Sequence, residues 1–324
     1  MKDILGLGNA LIDVLVKVDS DAFLQQIGLQ KGAMQLIDNE RFLNITEITE
    51  SLHREIRTGG SAGNVTLCTS RIGGKCTFCG KSGRDGNSEF FRQEMMQNGV
   101  SVVPLSSNLP MGVASTFITP DGQRTFATYL GAGATLSAAE LQPEWFKGVR
   151  YAFIEGYLVQ DHRLIETAME MARAAGAEVC LDLASYNIVE CEREYFRHLL
   201  AMTDVVLANE EESRAMTGLE PEGALQALAQ MCPTAIVKVG AKGAMAQRGN
   251  ERAAVPAEKV ERLVDTTAAG DFFAAGFLLA SARGATLQDA LHLGAKCSAE
   301  VIQVVGTRLE KSVWERLRVA ARQM

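Results

Sequence analysis

Between residues 151 and 239 the chain alternates short apolar runs with helix-length amphipathic stretches, and this rhythm limits the possible folds more than any other feature. The runs at 151–154, 178–183, 205–208 and 235–239 read as strands, and 161–175, 192–201, 210–217 and 222–231 read as helices. Strands separated by helices cannot pair as hairpins. Each must cross over and run parallel to the last, which predicts a buried parallel sheet with helices on its faces.

The N-terminal part extends the rhythm with a helix over 64–72, a strand over 75–80 and a helix over 85–98 that stops at Asn98-Gly99. From Ile4 to Val18 an apolar run is interrupted by Gly6, Gly8 and Asn9, and a two-residue period places Asn9, Leu11 and Asp13 on one face. Residues 111–130 break the pattern, because 113–118 and 125–129 flank a Pro120-Asp121-Gly122 turn and read as an antiparallel hairpin. The expected architecture is one α/β unit over 1–324, a three-layer α/β/α core with a mostly parallel sheet. A small β-sheet lid is expected from residues near 10–46 and 108–130.

A formal net charge of -7 argues against a nucleic-acid surface, which needs a basic stripe. No stretch approaches the roughly 18 apolar residues of a membrane span, and the first residues lack a signal peptide's apolar core, so a cytoplasmic protein is expected. Seven cysteines, scattered from Cys68 to Cys297, make no disulfide framework. Cys76 and Cys79 have CxxC spacing but lie on a strand with no second pair to complete a zinc site, so they read as buried thiols.

Chemistry concentrates at 265–271, Asp-Thr-Thr-Ala-Ala-Gly-Asp, a small-residue turn that feeds a helix read over 271–283. Unpaired N–H groups at a helix start carry the positive end of its dipole, so Ala268, Ala269 and Gly270 can close around a phosphoryl group. A carboxylate beside an anion is otherwise badly placed. Asp271 therefore reads as the base that takes a proton from the attacking group.

Three patterns are set aside. Gly6-x-Gly8 lacks the third glycine of a dinucleotide fingerprint, and Gly74 to Ser82 is one residue too long for a P-loop. Gly59-Gly60-Ser61-Ala62-Gly63 matches a nucleophile elbow, but His162 and His198 lie in polar or amphipathic helical stretches and neither they nor His292 occupies a strand-end loop. The glycines of that segment instead allow close approach of backbone to a ligand, with Asn64 supplying donor and acceptor. Asn209 and Glu212 open a helix after a parallel strand and could order a hydrated Mg²⁺, although acids there also complement the helix dipole. Lys238 to Ala244 ends a strand in a Gly-rich turn, and Arg124 follows the turn of the expected lid, from which it could swing onto a phosphate.

In their order along the chain these pieces resemble the ribokinase (phosphofructokinase-B type) family of carbohydrate and nucleoside kinases. Asp265 to Asp271 is similar to its Asp-Thr-x-Gly-Ala-Gly-Asp signature, Gly59-Gly60 with Asn64 to its Gly-Gly-x-x-x-Asn signature, and Asn209 with Glu212 to its Asn-x-x-Glu motif. Residues 8–13, 59–64, 128–132 and 155–158 look most like the family's adenosine kinases. The resemblance implies a ribokinase-like fold and transfer of the γ-phosphoryl group of ATP to the 5′-hydroxyl of adenosine, giving AMP and ADP. A kinase of ribose, fructose or a related sugar is the alternative, and a non-catalytic nucleoside-binding regulator a remoter one.

The same resemblance implies residue roles. Asp13, with Gly59, Gly60 and Asn64, would hold the ribose, and Asn9, Gln35, Ile37 and Tyr157 would line the base pocket. Asp271 would be the catalytic base, Ala268 to Gly270 the anion hole and Arg124 a phosphate contact. Asn209, Lys238, Gly240, Gly243, Thr266, His292, Lys296 and Val305 would border ATP, with Glu212 and Asn209 reaching Mg²⁺ through water and room left for K⁺. A monomer or homodimer is expected, with no nucleic-acid or membrane partner. Ala268 departs from the family's glycine and adds a Cβ to the anion hole.

Overall fold

The computed structural model describes residues 2–32, 34–121 and 123–324; Gly122 of the expected 120–122 turn lies outside the described residues. A nine-stranded sheet runs in the order Glu251–Val255, Ala244–Arg248, Thr234–Lys238, Val205–Asn209, Glu178–Asp182, Val149–Glu155, Lys2–Leu7, Cys76–Cys79 and Ser101–Val102. From Thr234–Lys238 to Ser101–Val102 every pairing is parallel. The two strands of 244–255, which the sequence pattern did not reveal, add an antiparallel edge.

Successive residues of the strands feed different cores. Ile4, Phe78 and Phe153 pack on one face against Phe272 and Phe277 of the helix Ala269–Ala282, whereas Leu5, Ile154 and Leu181 pack on the other with Ile165 and Leu225. Burial on both faces explains why these strands read as continuous apolar runs. Ala269–Ala282 is itself enclosed by the sheet and the helix Leu287–Val301, consistent with apolar residues on all its sides.

A second sheet has the order Met34–Leu36, Arg124–Tyr129, Gly112–Ile118, Leu11–Lys17, Arg54–Gly59. Its hairpin is the expected one, but Arg54–Gly59 is a strand outside the expected lid bounds. Its charged sequence, Arg-Glu-Ile-Arg-Thr-Gly, suits an edge that faces solvent and conceals the strand from a hydrophobicity reading. The register aligns Leu36, Thr128, Ala114, Asp13 and Arg57 in one row across the sheet. Gln35, Ala127, Ser115 and Val14 form the next row, facing the opposite side, where Val16, Phe117 and Ala127 pack with Leu24 and Ile45 of two short helices.

The single run expected from Ile4 to Val18 is corrected to two strands in two sheets. Lys2–Leu7 joins the large sheet and Leu11–Lys17 the small one. The break is fixed by Glu155, whose Oε1 accepts from Asn9 N at 2.8 Å and Asn9 Nδ2 at 2.7 Å, turning the chain at that point. Asn9 thus faces Glu155 and does not share a strand face with Asp13.

Candidate active site

Glu155, Asp182, Asn209 and Lys238 each end a neighbouring parallel strand, so four polar residues line the carboxyl edge of the large sheet, where α/β sheets bind ligands. The small sheet stands beside this edge through the Leu7–Leu11 connection and the Gly59–Ser61 junction. At that junction Gly60 has φ +80°, and a Cβ on Gly59 would overlap the Asp13 carboxylate. Glycine at both positions lets strand 54–59 pass into helix Ser61–Arg71 directly against Asp13.

That helix presents Ser61 and Asn64 to Asp271, which lies in the first turn of Ala269–Ala282. Ser61 Oγ donates to Asp271 Oδ1 at 2.7 Å and Asn64 Nδ2 to Oδ2 at 2.8 Å. Burial pushes the Asp271 carboxyl up to about 6 against the opposing pull of these two donors. Asn64 Oδ1 is buried with no hydrogen-bond partner among the described residues, so an acceptor beside Asp271 is open to a donor.

Asp13 is more strongly perturbed. Burial, then the charges of Asp271 and Asp265, raise its carboxyl to about 7, while Arg124 opposes the rise. Two carboxylates thus lie near each other, and ligand hydroxyls can satisfy what the fold leaves unpaired.

The turn before the helix is built on Asp265, whose side chain is fully buried. It accepts from Thr267 N at 2.8 Å and Gly306 N at 2.7 Å, and pairs with Arg124 Nη1 at 2.7 Å. Arg124 also donates to Thr267 Oγ1 at 3.1 Å, so the small sheet's hairpin is fastened to this turn. Ala268 caps the helix with φ +61° and ψ +7°, the left-handed conformation that glycine adopts more easily. On the other side of the turn Lys238 Nζ lies 3.0 Å from where a Cβ on Gly270 would stand, and 3.2 Å from Asp182 Oδ2.

Asn209 and Glu212 form a reciprocal capping box. Asn209 N and Nδ2 donate to Glu212 at 2.8 and 2.6 Å, and Glu212 N returns a bond to Asn209 Oδ1 at 2.8 Å. Burial, then Asp182, raises the Glu212 carboxyl to about 7. Among the described residues no cluster of three His, Cys, Asp or Glu side chains could hold a metal ion. The pair does not fit direct coordination; the lone pairs left on Glu212 fit acceptance from metal-bound water.

Other expected residues scatter. Gln35 lies on the sheet face opposite Asp13, while Leu36 occupies Asp13's row. Ile37 helps line an open, largely apolar pocket of about 620 Å³ with Leu36, Leu109, Pro110, Tyr129 and Leu130. Tyr157 is partly buried and its hydroxyl donates to Ala184 O at 3.4 Å. Gly240 and Gly243 bound the turn after Lys238, with φ +54° and +104°. Thr266 is exposed and Val305 precedes Gly306 of the Asp265 turn, but His292 meets Gln288 and Lys296 is exposed, with no polar contact to the turn among the described residues. His162 and His198 pair with Glu192 and Glu166 on exposed surfaces, far from the role of a base for Ser61.

Three participants escaped the sequence reading. Ser61 was visible only within the rejected elbow, and its partner is 210 positions away. Glu155 was signalled by a lone carboxylate ending an apolar strand, as was Asp182. Their partners, Asn9 and Ala62 for Glu155 and Lys238 for Asp182, come from distant parts of the chain, which no local pattern displays.

A buried carboxylate held by two donors in the first turn of a helix, with a second raised carboxyl at Asp13 and a small-residue turn beside it, is an arrangement that fits a phosphotransferase with an alcohol group as acceptor. The sequence matches the pfkB family carbohydrate kinase pattern over residues 28–314, and the chain belongs to that family. It is 30% identical to the aminoimidazole riboside kinase of Salmonella typhimurium over 267 residues, 76% of this chain and 82% of that protein. Among solved structures, the adenosine kinase from Sinorhizobium meliloti superposes with a TM-score of 0.89 at 33% identity, covering 99% of both chains. A probable sugar kinase from Rhizobium etli CFN 42 gives 0.90 at 30% identity, covering 98% of both. Fold and family agree on a ribokinase-like kinase of nucleosides or sugars that uses ATP.

Proposed function

We propose that the protein transfers the γ-phosphoryl group of ATP to the 5′-hydroxyl of adenosine, forming AMP and ADP. The observation that carries this reading is the apolar pocket of about 620 Å³, because Leu36 and Thr128 on its wall share the sheet row of Asp13. A riboside held at Asp13 and Asn64 would place its base there, whereas a free sugar would leave the apolar wall wet.

In this reading Asp13 accepts from the ribose hydroxyls, a ribose hydroxyl donates to Asn64 Oδ1, and the 5′-hydroxyl lies at Asp271. Asp271 takes its proton as the oxygen attacks in line, and the N–H groups at 268–270 hold the phosphoryl charge. Magnesium, when bound with ATP, would screen the phosphates through waters that Glu212 accepts. The small sheet serves as a lid, and Arg124 ties its hairpin to the 265–271 turn. The family name and the sugar kinase neighbour support a second reading, a free-sugar acceptor.

A thermal-shift and ADP-release panel of adenosine, inosine, ribose and fructose separates the two. Adenosine is expected to stabilise the protein and to be phosphorylated with the highest kcat/KM. Response to free sugars alone would overturn the nucleoside reading.

A further inference from the structure

Resting on the kinase reading above, we propose that Lys238 is a catalytic residue whose ammonium donates to the phosphoryl group in flight, and that Asp182 is the positioning residue that aims it. Lys238 ends the strand Thr234–Lys238, and its Nζ is 3.0 Å from the Cβ position of Gly270, the residue before the base. An ammonium has three donors, and one is used, by Asp182 Oδ2 at 3.2 Å. Among the described residues no other hydrogen bond engages Nζ, which leaves two donors next to the anion turn. Arg124, on the far side of the turn, is differently placed because its charge is already matched by the buried Asp265.

Asp182 is itself held. Its Oδ1 accepts from Ala184 N at 2.9 Å, and Ala184 has a left-handed φ of +63°. The other carboxylates around Lys238 are Glu212 and Asp271, and although burial opposes it, Asp182 and Glu212 keep the ammonium charged. During transfer the acceptor oxygen bonds to the γ-phosphorus as its proton passes to Asp271. The bond to the β–γ bridging oxygen breaks, and its electron pair leaves with ADP. Charge grows on the phosphoryl oxygens and the leaving oxygen, where a desolvated, preplaced cation acts most strongly.

The test compares Lys238→Met and Asp182→Asn with the wild type by ADP release, and measures binding of ADP with fluoroaluminate in the presence of acceptor. Lys238→Met is expected to lower kcat by roughly 10²-fold or more with acceptor KM within about threefold, and to weaken the fluoroaluminate complex far more than acceptor binding. Asp182→Asn, which keeps the ammonium, is expected to lower kcat about tenfold with the same KM pattern. A kcat within threefold of wild type in both variants, or a rise in acceptor KM equal to the fall in kcat/KM, overturns the proposal. Wild-type protein inactive on every acceptor overturns the kinase reading instead.

Discussion

Ser61 Oγ donates to Asp271 Oδ1 at 2.7 Å, joining the start of the helix that follows the small sheet's glycine turn to the first turn of the helix Ala269–Ala282. With Asn64 on the second oxygen, the carboxylate is oriented before any acceptor arrives. Asp271→Asn should lower kcat by about 10²–10⁴, and a value within threefold of wild type would remove Asp271 from the mechanism. Ser61→Ala should cost about three- to tenfold and shift the acid limb of the rate profile to higher pH, because a donor that favours the charged form is lost.

The acid limb itself is predicted from two carboxyls. Asp271 is raised to about 6 and Asp13 to about 7, mainly by burial, with the charge of Asp182 adding to the first and that of Asp271 to the second. Both must be ionised to act as base and acceptor, so kcat/KM should rise with pH through about 6–7 and then level. The apparent values belong to the pair. A profile flat from pH 5 to 8 contradicts this assignment.

Stability should move the opposite way. A carboxyl raised by folding binds its proton more tightly in the native than in the unfolded state, so its contribution is intact below its unfolded value near 4 and is lost as pH rises towards 7. Asp13→Asn should therefore stabilise the ligand-free protein at pH 7.5, by on the order of 2 kcal/mol, and by only about a quarter as much at pH 4.5. The same variant should raise the acceptor KM about 10- to 100-fold. Denaturant unfolding at the two pH values checks the first part and steady-state kinetics the second.

Ala268 holds φ +61°, so its methyl group sits in a conformation that favours glycine. Ala268→Gly should stabilise the fold by about 0.5–1 kcal/mol and leave kcat equal or raised by less than about threefold. A loss of stability beyond about 1 kcal/mol would show that the methyl packs productively. Chemical denaturation reads the change directly.

Arg124→Ala tests the fastening of the small sheet. Asp265 keeps its bonds from Thr267 N and Gly306 N, so the cost in stability should be only about 1–2 kcal/mol. If the hairpin acts as a lid, kcat should fall at least about tenfold, measured with saturating acceptor. Full activity would separate the Arg124–Asp265 pair from catalysis.

The parallel sheet, the hairpin and the turn before the buried helix were legible because each writes a local signature: apolar runs between helices, a turn between alternating strands, and small residues before an apolar helix. Arg54–Gly59 was not, since an edge strand with alternating charges carries little hydrophobic signal. Nor was the break at Asn9. Two-residue periodicity continues across Gly8 to Ala10, and only the distant carboxylate of Glu155 shows that the strand ends there. Gln35 and Leu36 illustrate the same limit, because which of two neighbours faces Asp13 depends on pairing with Arg124–Tyr129.

The layered α/β class and the family could be read from the sequence, because both follow from patterns confined to short stretches of chain. The folded chain was needed to show that Ser61 and Asn64 hold Asp271, that Asp265 claims Arg124, and that Lys238 lies between Asp182 and Gly270. A side chain's hydrogen-bond and charge partners are set by strand order, register and helix packing, which bring residues tens to hundreds of positions apart to between 2.7 and 3.2 Å of one another.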